Sequence, residues 1–147
     1  MTNNNIVNAD PVLDKFINYL MKNGKKSLAK SIMEETFEEI KSKGQKSPKS
    51  IFSKAIENVV PKIEVRPKRV GGSIYQVPQE TKANRQMFLA TKWILDAARS
   101  RKGANFSKLL ATELIDAANE TGTAVKKKLD VYKMAEANKA FARFANR

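Results

Sequence analysis

Two adjacent glycines, Gly71 and Gly72, lie in the middle of the basic segment RPKRVGGSIYQVP, which runs from Arg66 to Pro78. A type I′ turn needs positive φ at both central residues, and glycine adopts such angles without steric cost. The flanking residues alternate small, charged and β-branched side chains, a pattern typical of a β-hairpin. Proline disrupts a central strand but is tolerated in a two-stranded ribbon, where both strands are edges. The segment therefore predicts a β-hairpin arm over residues 63–78.

The position of the turn fixes the register of this arm. The predicted pairs on one face are Val70 with Ser73, Lys68 with Tyr75 and Arg66 with Val77. Each face mixes apolar and cationic side chains, so we expect neither face to pack against a protein core and the arm to protrude. Two roles for Tyr75 remain open: stacking on a nucleobase, and wedging beneath the base of the arm.

Apolar residues at helical spacing dominate the rest of the chain. Asp10-Pro11 and Ser47-Pro48 each place an N-cap residue before a proline, which is typical of a helix start. The expected first helix begins at Pro11, carries Leu13, Phe16, Ile17 and Leu20 on one face, and is stopped by Asn23-Gly24. The second spans about residues 27–43, the third begins at Pro48 and is ended by Pro61, and the fourth runs from about Thr81 to about Arg101. A fifth carries Leu109, Leu110, Leu114 and Ala117 and is closed by Gly122, and a sixth is capped by Asp130 and carries Met134, Ala135, Asn138, Phe141 and Ala142 on one face. Trp93 is expected in the core. The prediction is a mainly α fold, a six-helix bundle with one protruding two-stranded β-hairpin arm, in a single domain over residues 1–147 with residues 1–9 disordered.

The chain of 147 residues has a formal net charge of +13, from 28 lysines and arginines against 15 acidic residues. So basic a chain is typical of proteins that bind a polyanion, most often a nucleic acid. No apolar run approaches the roughly 20 residues of a membrane-spanning helix, so a membrane partner is not expected. Residues 61–103 hold ten of the basic residues and three of the acidic ones, which concentrates the excess charge in the arm and the segment after it.

The basic residues form four clusters along the chain. They are Lys22, Lys25 and Lys26 after the first helix; Arg66, Lys68 and Arg69 in the arm; Arg99, Arg101 and Lys102 at the end of the fourth helix; and Lys126, Lys127 and Lys128 before the sixth. Each cluster taken singly also fits a solvated surface, because cations favour helix C-termini and protect exposed strand edges from aggregation. Together, four clusters in one small chain predict an extended surface that binds nucleic acid.

The chain lacks the residues that most enzymes and metal sites need. It has no cysteine and no histidine, so a thiolate nucleophile and the commonest general base and metal ligand are missing. The acidic group Glu34, Glu35, Glu38 and Glu39 suggests a carboxylate metal site, but lysines at helical spacing favour a solvated, charge-paired face. We therefore expect no catalytic residue, no metal and no cofactor. A hydrolase or transferase would have only scattered carboxylates and serines at its disposal.

Five segments together resemble one known family: RVGGSIYQVP, DPVLDKFINYLMKNGKKSLAKSI, AIENVVPKIEV, AVKKK and MAEANKAFA. They resemble ribosomal protein number seven of the small subunit, of bacterial type, and the likeness extends from Asp10 to about Phe144. The resemblance implies a helical bundle with a long β-ribbon and a non-enzymatic protein of the ribosome, in the bacterial cytoplasm or inside a mitochondrion or plastid. It further implies binding to the 3′ major domain of small-subunit rRNA and nucleation of head assembly.

The resemblance also implies roles for particular residues. Phosphates of rRNA would be bound by Lys22, Lys25, Lys26, Arg66, Lys68, Arg69, Arg99, Arg101, Lys126 and Lys127. The ribbon tip would approach the exit-site tRNA and the mRNA exit path through Val70, Gly71, Gly72 and Ser73. Neighbouring proteins of the subunit head and the protein numbered eleven are the other partners that the resemblance implies.

The sequence departs from the family pattern in several places. Relatives usually begin with a short arginine-rich arm, whereas MTNNNIVN has no basic residue, so one rRNA anchor is expected to be absent or replaced. Leu129 and Tyr132 stand where relatives usually have an acidic residue and a histidine, and the loop around Asn105 and Phe106 also differs. Lysine outnumbers arginine 21 to 7, which suggests an AT-rich genome, that of an organelle or of a reduced bacterium.

A functional class other than rRNA binding remains open: a DNA-architectural protein that wraps duplex DNA with a proline-bearing β-arm. Such proteins often insert an apolar wedge between base steps. The tip here consists of residues 70–73, Val-Gly-Gly-Ser, which is too small to wedge well. Competition between duplex DNA and structured rRNA separates the two classes.

Overall fold

Six α-helices and one two-stranded ribbon make up most of residues 10–145, the part of the chain that the computed structural model describes. The elements are α1 (Pro11–Leu20), α2 (Lys26–Ser42), α3 (Pro48–Val59), β1 (Ile63–Val70), β2 (Ser73–Glu80), α4 (Ala83–Ser100), α5 (Phe106–Ala118), α6 (Thr123–Ala137) and a 3-10 helix (Lys139–Phe144). A mainly α fold with a β-hairpin arm is thereby confirmed. The predicted disorder of residues 1–9 lies outside the described residues.

The starts of α1 and α3 follow the cap-plus-proline pattern. Asp10 Oδ1 accepts a hydrogen bond from the Val12 amide at 2.9 Å, and Ser47 Oγ accepts one from the Ser50 amide at 3.3 Å. Each cap satisfies an amide that has no partner within its own helix. Proline follows each cap residue, where its missing N–H costs nothing. These two helix starts are therefore encoded locally.

The core lies where α5 packs against α2, α3 and α4, with α1 closing one side. Phe16 of α1 meets Phe52 of α3 edge to face, with ring centroids 5.1 Å apart. Leu110 and Leu114 of α5 are fully buried, and Trp93 of α4 is only 8% exposed, as predicted. Burial of such a side chain stabilises the fold by about 1.5–3 kcal/mol. The helical body thus forms the packed support for the ribbon and for the surface turns.

The start of α6 was predicted wrongly. The helix begins at Thr123 rather than after Asp130, so the lysine run 126–128 lies inside the helix and not before it. Its cap comes from another helix, because the buried carboxylate of Glu113 on α5 accepts a hydrogen bond from the Ala124 amide at 3.0 Å. Gly122 precedes the helix at φ 92°, and a Cβ there would lie 3.1 Å from Glu113 Oε1. Glycine is therefore required where the chain passes this carboxylate.

The end of α6 also differs from the prediction. The helix ends at Ala137, and residues 139–144 form a 3-10 helix, so the expected single α-helical face through Ala142 does not exist. The Asn138 side-chain amide donates to the Met134 carbonyl at 2.8 Å, which satisfies a terminal acceptor of α6. Residues three apart eclipse each other in a 3-10 helix, which places Phe141 and Phe144 on one side. That side meets the ribbon.

Candidate nucleic-acid interface

The ribbon has the predicted turn and register. Gly71 and Gly72 have φ angles of 59° and 85°, as a type I′ turn requires, and Val70 pairs with Ser73, Lys68 with Tyr75 and Arg66 with Val77. The strands extend to Glu80, two residues beyond the predicted arm. The turn glycines and Ser73 are exposed.

The ribbon packs against the body as far out as the third residue pair from its turn, contrary to the expectation that neither face would. The Tyr75 ring lies 4.9 Å from the Phe141 ring and 5.2 Å from the Phe144 ring, centroid to centroid. Val77 is 1% exposed. Of the two roles left open for Tyr75, wedging against the body is the one that its contacts match. Only the part of the ribbon nearest the turn protrudes.

A buried carboxylate connects two arginines at the base of the ribbon. Glu64 Oε1 accepts hydrogen bonds from Arg66 Nε at 3.0 Å and from Arg85 Nε at 3.4 Å, and the Glu64 side chain is only 9% exposed. The arginine side chains remain 52% and 39% exposed. A guanidinium has five N–H donors, so each retains donors for a second anion. This group of two cations and one anion has a net charge of +1 at the base of the ribbon.

Arg85 was missed by the sequence analysis. It stands alone in the first turns of α4, outside the four basic clusters, and its guanidinium lies 5.1 Å from the centroid of the Phe88 ring. The signal in the sequence was Glu64, the single acidic residue in an otherwise cationic strand, which needs a positively charged partner. The position of Glu64 in the sequence does not show that Arg85, 21 residues further along, is one of its partners.

The other two ribbon cations differ in their surroundings. Lys68 is half-buried, and its Nζ donates to the Ala145 carbonyl at 3.0 Å. Arg69 is exposed. Arg69 is therefore better placed for a phosphate than Lys68, whose ammonium already has one partner.

The cluster after α1 meets the end of α4. Lys25 donates its amide to the Lys22 carbonyl at 3.1 Å around a turn whose central residues, Asn23 and Gly24, have φ angles of 56° and 72°. This is again a type I′ turn. Lys22 and Lys25 line the same pocket as Arg99, and all three are exposed, as is Lys26. Two clusters that are far apart in the sequence thus form one basic surface.

Arg101 faces inward although it lies two residues from Arg99. Its Nε donates to Glu113 Oε2 at 2.9 Å, and its Nη2 lies 2.7 Å from Asp116 Oδ2. Burial alone would lower the pKa of Arg101, but the hydrogen bonds and charges of the two carboxylates outweigh burial and raise the pKa above its ordinary value. The contacts of Arg101 join the end of α4 to α5, which is a structural role.

The three lysines of the run on α6 differ in their exposure. Lys126 and Lys127 are exposed, whereas Lys128 donates to the Asn58 carbonyl at 2.7 Å and lies 5.7 Å from the Tyr132 ring centroid. Lys128 therefore holds α6 against the end of α3. The first two lysines remain at the surface.

The acidic residues of α2 lie together at the surface. Glu34, Glu35, Glu38 and Glu39 line an open cleft, and Ser107 Oγ donates to Glu35 Oε2 at 2.8 Å. Within residues 10–145, no three acidic, histidine or cysteine side chains are grouped so that they could hold a metal ion. None of the helices in that range is long and apolar enough to cross a membrane.

Comparison with known proteins identifies the family. The model of the family described as "Ribosomal protein S7p/S5e" matches residues 1–139. The chain belongs to this family. As an S7-family member it is a structural, non-enzymatic constituent of the small ribosomal subunit, which confirms the resemblance seen in the sequence.

Several curated members of the S7 family are similar to the chain over most of its length, and each is named "Small ribosomal subunit protein uS7". The protein of Treponema denticola is 52% identical over 90% of this chain and 85% of its own length. That of Petrotoga mobilis is 53% identical over 92% and 87%. That of Mycoplasmopsis agalactiae is 49% identical over 92% and 90%. The chain therefore spans most of the length of these bacterial proteins.

Leu129 and Tyr132, two positions at which this S7-family chain was predicted to depart from the family pattern, have different surroundings. Leu129 is 50% exposed on α6. The Tyr132 hydroxyl accepts a hydrogen bond from the Lys62 amide at 2.8 Å, which connects α6 to the start of β1. The tyrosine thus has a structural contact in this chain, while Leu129 presents an apolar surface.

Proposed function

We propose that this ribosomal protein is a primary rRNA-binding protein, which binds the 3′ major domain of small-subunit rRNA and nucleates assembly of the subunit head. The observation that carries the proposal is the convergence of Lys22 and Lys25 with Arg99 on one surface. Cations gathered from separate segments match a folded RNA backbone, whose phosphates bind through charge-assisted hydrogen bonds. Lys26 extends this surface along α2.

Two further sites complete the proposed interface. Arg66 and Arg85 present their remaining donors beside Glu64 at the base of the ribbon, and Arg69 lies nearer the tip. Lys126 and Lys127 contribute the exposed surface of α6. We leave Arg101 out of the interface, because two carboxylates offset its charge and its side chain is only 29% exposed. Lys68 contributes less to phosphate binding than Arg69, because its ammonium already donates to the Ala145 carbonyl.

The ribbon tip has a proposed role of its own. Val70, Gly71, Gly72 and Ser73 lie at the end of the ribbon that does not pack against the body. We propose that the tip approaches the exit-site tRNA and the mRNA exit path, and that neighbouring head proteins and the protein numbered eleven lie beside the ribbon. The small side chains of the tip support a role in contacting tRNA and mRNA as they leave the subunit, rather than in wedging between bases.

The rRNA proposal is tested by competition between a 3′ major domain rRNA fragment and duplex DNA for the full chain. We expect preference for the rRNA, with log K falling against log salt concentration by roughly 0.7–0.9 for each phosphate contact. The double variant Lys22→Ala/Lys25→Ala should bind more weakly and with a shallower slope. Footprinting on the rRNA should locate the lost contacts.

The matched control is Lys41→Ala/Lys46→Ala, which removes the same charge from exposed positions at and beyond the opposite end of α2. It should leave both the affinity and the protected nucleotides nearly unchanged. Equal affinity for rRNA and duplex DNA would contradict the proposal and favour a DNA-architectural protein. A salt-independent affinity would contradict the phosphate contacts themselves.

A further inference from the structure

An apolar pocket opens between the α1–α2 turn and the helix ends beside it. Its volume is about 290 Å³, and its apolar lining comprises Leu20, Met21, Leu28, Ile32 and Phe106 with Ala29. Leu28 is 55% exposed, and Phe106 is half-buried at the first position of α5. Pockets for drug-sized ligands begin at about 300 Å³, so this one suits a single ring system.

The pocket has a cationic lining as well as an apolar one. Lys22 and Lys25 come from the turn after α1, and Arg99 comes from the end of α4. Within residues 10–145, none of the three forms an ion pair with an acidic side chain, and no acidic residue lines the pocket. The combination is complementary to a ligand that has both a flat apolar part and negative charge.

We propose that this pocket binds one unstacked nucleotide of RNA, with its base against Leu28 and Phe106 and its flanking phosphates on the three cations. The inference rests on the proposed rRNA function and specifies how one part of the surface works. Sequence-specific proteins recognise RNA mostly at loops and bulges, whose bases leave the stack and lie on aromatic or apolar side chains. A nucleotide within a chain has a phosphate on each side, which matches cations supplied by two separate segments. A duplex would leave the apolar surface empty, and an apolar peptide side chain would leave the cations unused.

The test is the variant Leu28→Gln in the full chain, bound to the 3′ major domain rRNA fragment and followed by base-specific chemical probing. In the wild-type complex, at least one unpaired base should be protected, and in Leu28→Gln that base should become reactive. Leu28→Gln removes one side of the apolar contact and leaves Phe106 in place, so we expect affinity to fall on the order of tenfold. The salt slope should stay the same, because the three cations remain.

Two controls separate a base contact from a general effect. Met134→Gln alters a methionine of similar exposure, 49%, on α6 and should change neither base protection nor affinity. Leu28→Met keeps an apolar side chain and should restore the protection of the base. Because Leu28 is more than half exposed, the thermal midpoint of Leu28→Gln should match that of the wild type.

Two outcomes would overturn the inference without touching the proposed function. One is wild-type affinity with unchanged base protection in Leu28→Gln. The other is a base that stays reactive in the wild-type complex although the rRNA backbone around it is protected. Failure of the wild-type chain to bind the rRNA at all would instead contradict the proposed function.

Discussion

Arg99 and Arg101 are separated by one residue and have opposite surroundings. Arg99 is exposed beside the pocket, whereas Arg101 is bound by Glu113 and Asp116 of α5. The sequence shows a basic cluster at the end of a helix, but the carboxylates lie 12 and 15 residues further along the chain. Local pattern therefore predicts the cluster and cannot tell which of its members faces solvent.

The charge on Arg101 is insensitive to pH near neutrality. Because its folded-state pKa is raised above the ordinary value for arginine, the stability that it contributes is complete below that value. That contribution is lost only when the pH rises through the folded-state pKa. We therefore expect no change in stability from this group between weakly acidic and weakly basic pH.

Arg101→Met should destabilise the fold, because it leaves the fully buried carboxylate of Glu113 without its cation. Breaking one partner of a buried ion pair costs about 3–5 kcal/mol, and the partial exposure of Arg101 favours the lower end. Urea unfolding measures the effect. The matched variant Arg99→Met should change stability by no more than about 0.5 kcal/mol but should weaken rRNA binding. Equal stability of the two variants would contradict the structural role of Arg101.

At the scale of elements, the ribbon shows what local pattern encodes and what it leaves out. The glycine pair and the prolines were sufficient for the turn, the register and the edge character of the strands. The packing of Tyr75 against the body was not predictable from local pattern. Its contacts, Phe141 and Phe144, lie on a 3-10 helix, whereas the apolar spacing of this segment predicted a continuation of α6. Both ends of α6 were predicted wrongly because contacts with other elements determine them. Glu113 of α5 caps the start of the helix, and the residues beyond its end pack against the ribbon.

Tyr75→Ala should loosen the outer half of the ribbon by removing the ring contacts of Tyr75 with Phe141 and Phe144. A two-stranded hairpin alone is marginal in water, and each aromatic pair contributes about 0.5–1.5 kcal/mol beyond burial. We expect amide exchange of β1 and β2 near Tyr75 to accelerate on the order of tenfold or more, while α2 and α4 keep their protection. Hydrogen exchange of the free protein measures both.

Ile74→Ala is the control for this effect, because Ile74 lies next to Tyr75 in the sequence but is 67% exposed. It should leave the exchange of the ribbon amides nearly unchanged. Rapid exchange throughout the wild-type ribbon, with no further change in Tyr75→Ala, would show that the aromatic contacts do not hold it in solution.

For the whole molecule, the excess charge of +13 is distributed by the tertiary structure rather than by the sequence order. The sequence identified four clusters and favoured the one in the arm over the other three. The fold turns Arg101 and Lys128 inward, brings Lys22 and Lys25 beside Arg99, and adds Arg85. None of these rearrangements follows from spacing along the chain, because each depends on how helices that are distant in sequence pack together.

The ribbon should divide its two proposed tasks between its base and its tip. Replacing Arg66 and Arg69 by alanine removes charge-assisted phosphate bonds, each about 1.5–3 kcal/mol before solvent screening reduces it. The variant keeps Lys68 and its bond to the Ala145 carbonyl, and Arg85 still pairs with Glu64. We expect weaker rRNA binding but not its loss, because the cations of the helical body remain. Deleting residues 70–73 and reclosing the ribbon should leave rRNA affinity nearly intact and disturb tRNA retention or reading-frame maintenance.

Both variants are compared in reconstituted small subunits, with rRNA affinity and frame errors as the two measurements. Loss of rRNA binding on tip deletion would contradict this division, as would unchanged decoding. The alanine variant is itself the control for the tip deletion, because it alters the same ribbon without shortening it.

The bond from Lys68 to the Ala145 carbonyl has a consequence for synthesis of the chain. Its two partners are 77 residues apart, so the ribbon emerges from the translating ribosome long before the segment against which it packs. At about 5–20 residues per second, that delay is roughly 4–15 s. During this interval both strand edges of a nascent hairpin are open to neighbouring chains. The prolines and the cations of the ribbon then protect its strand edges from aggregation, before the protein binds any RNA.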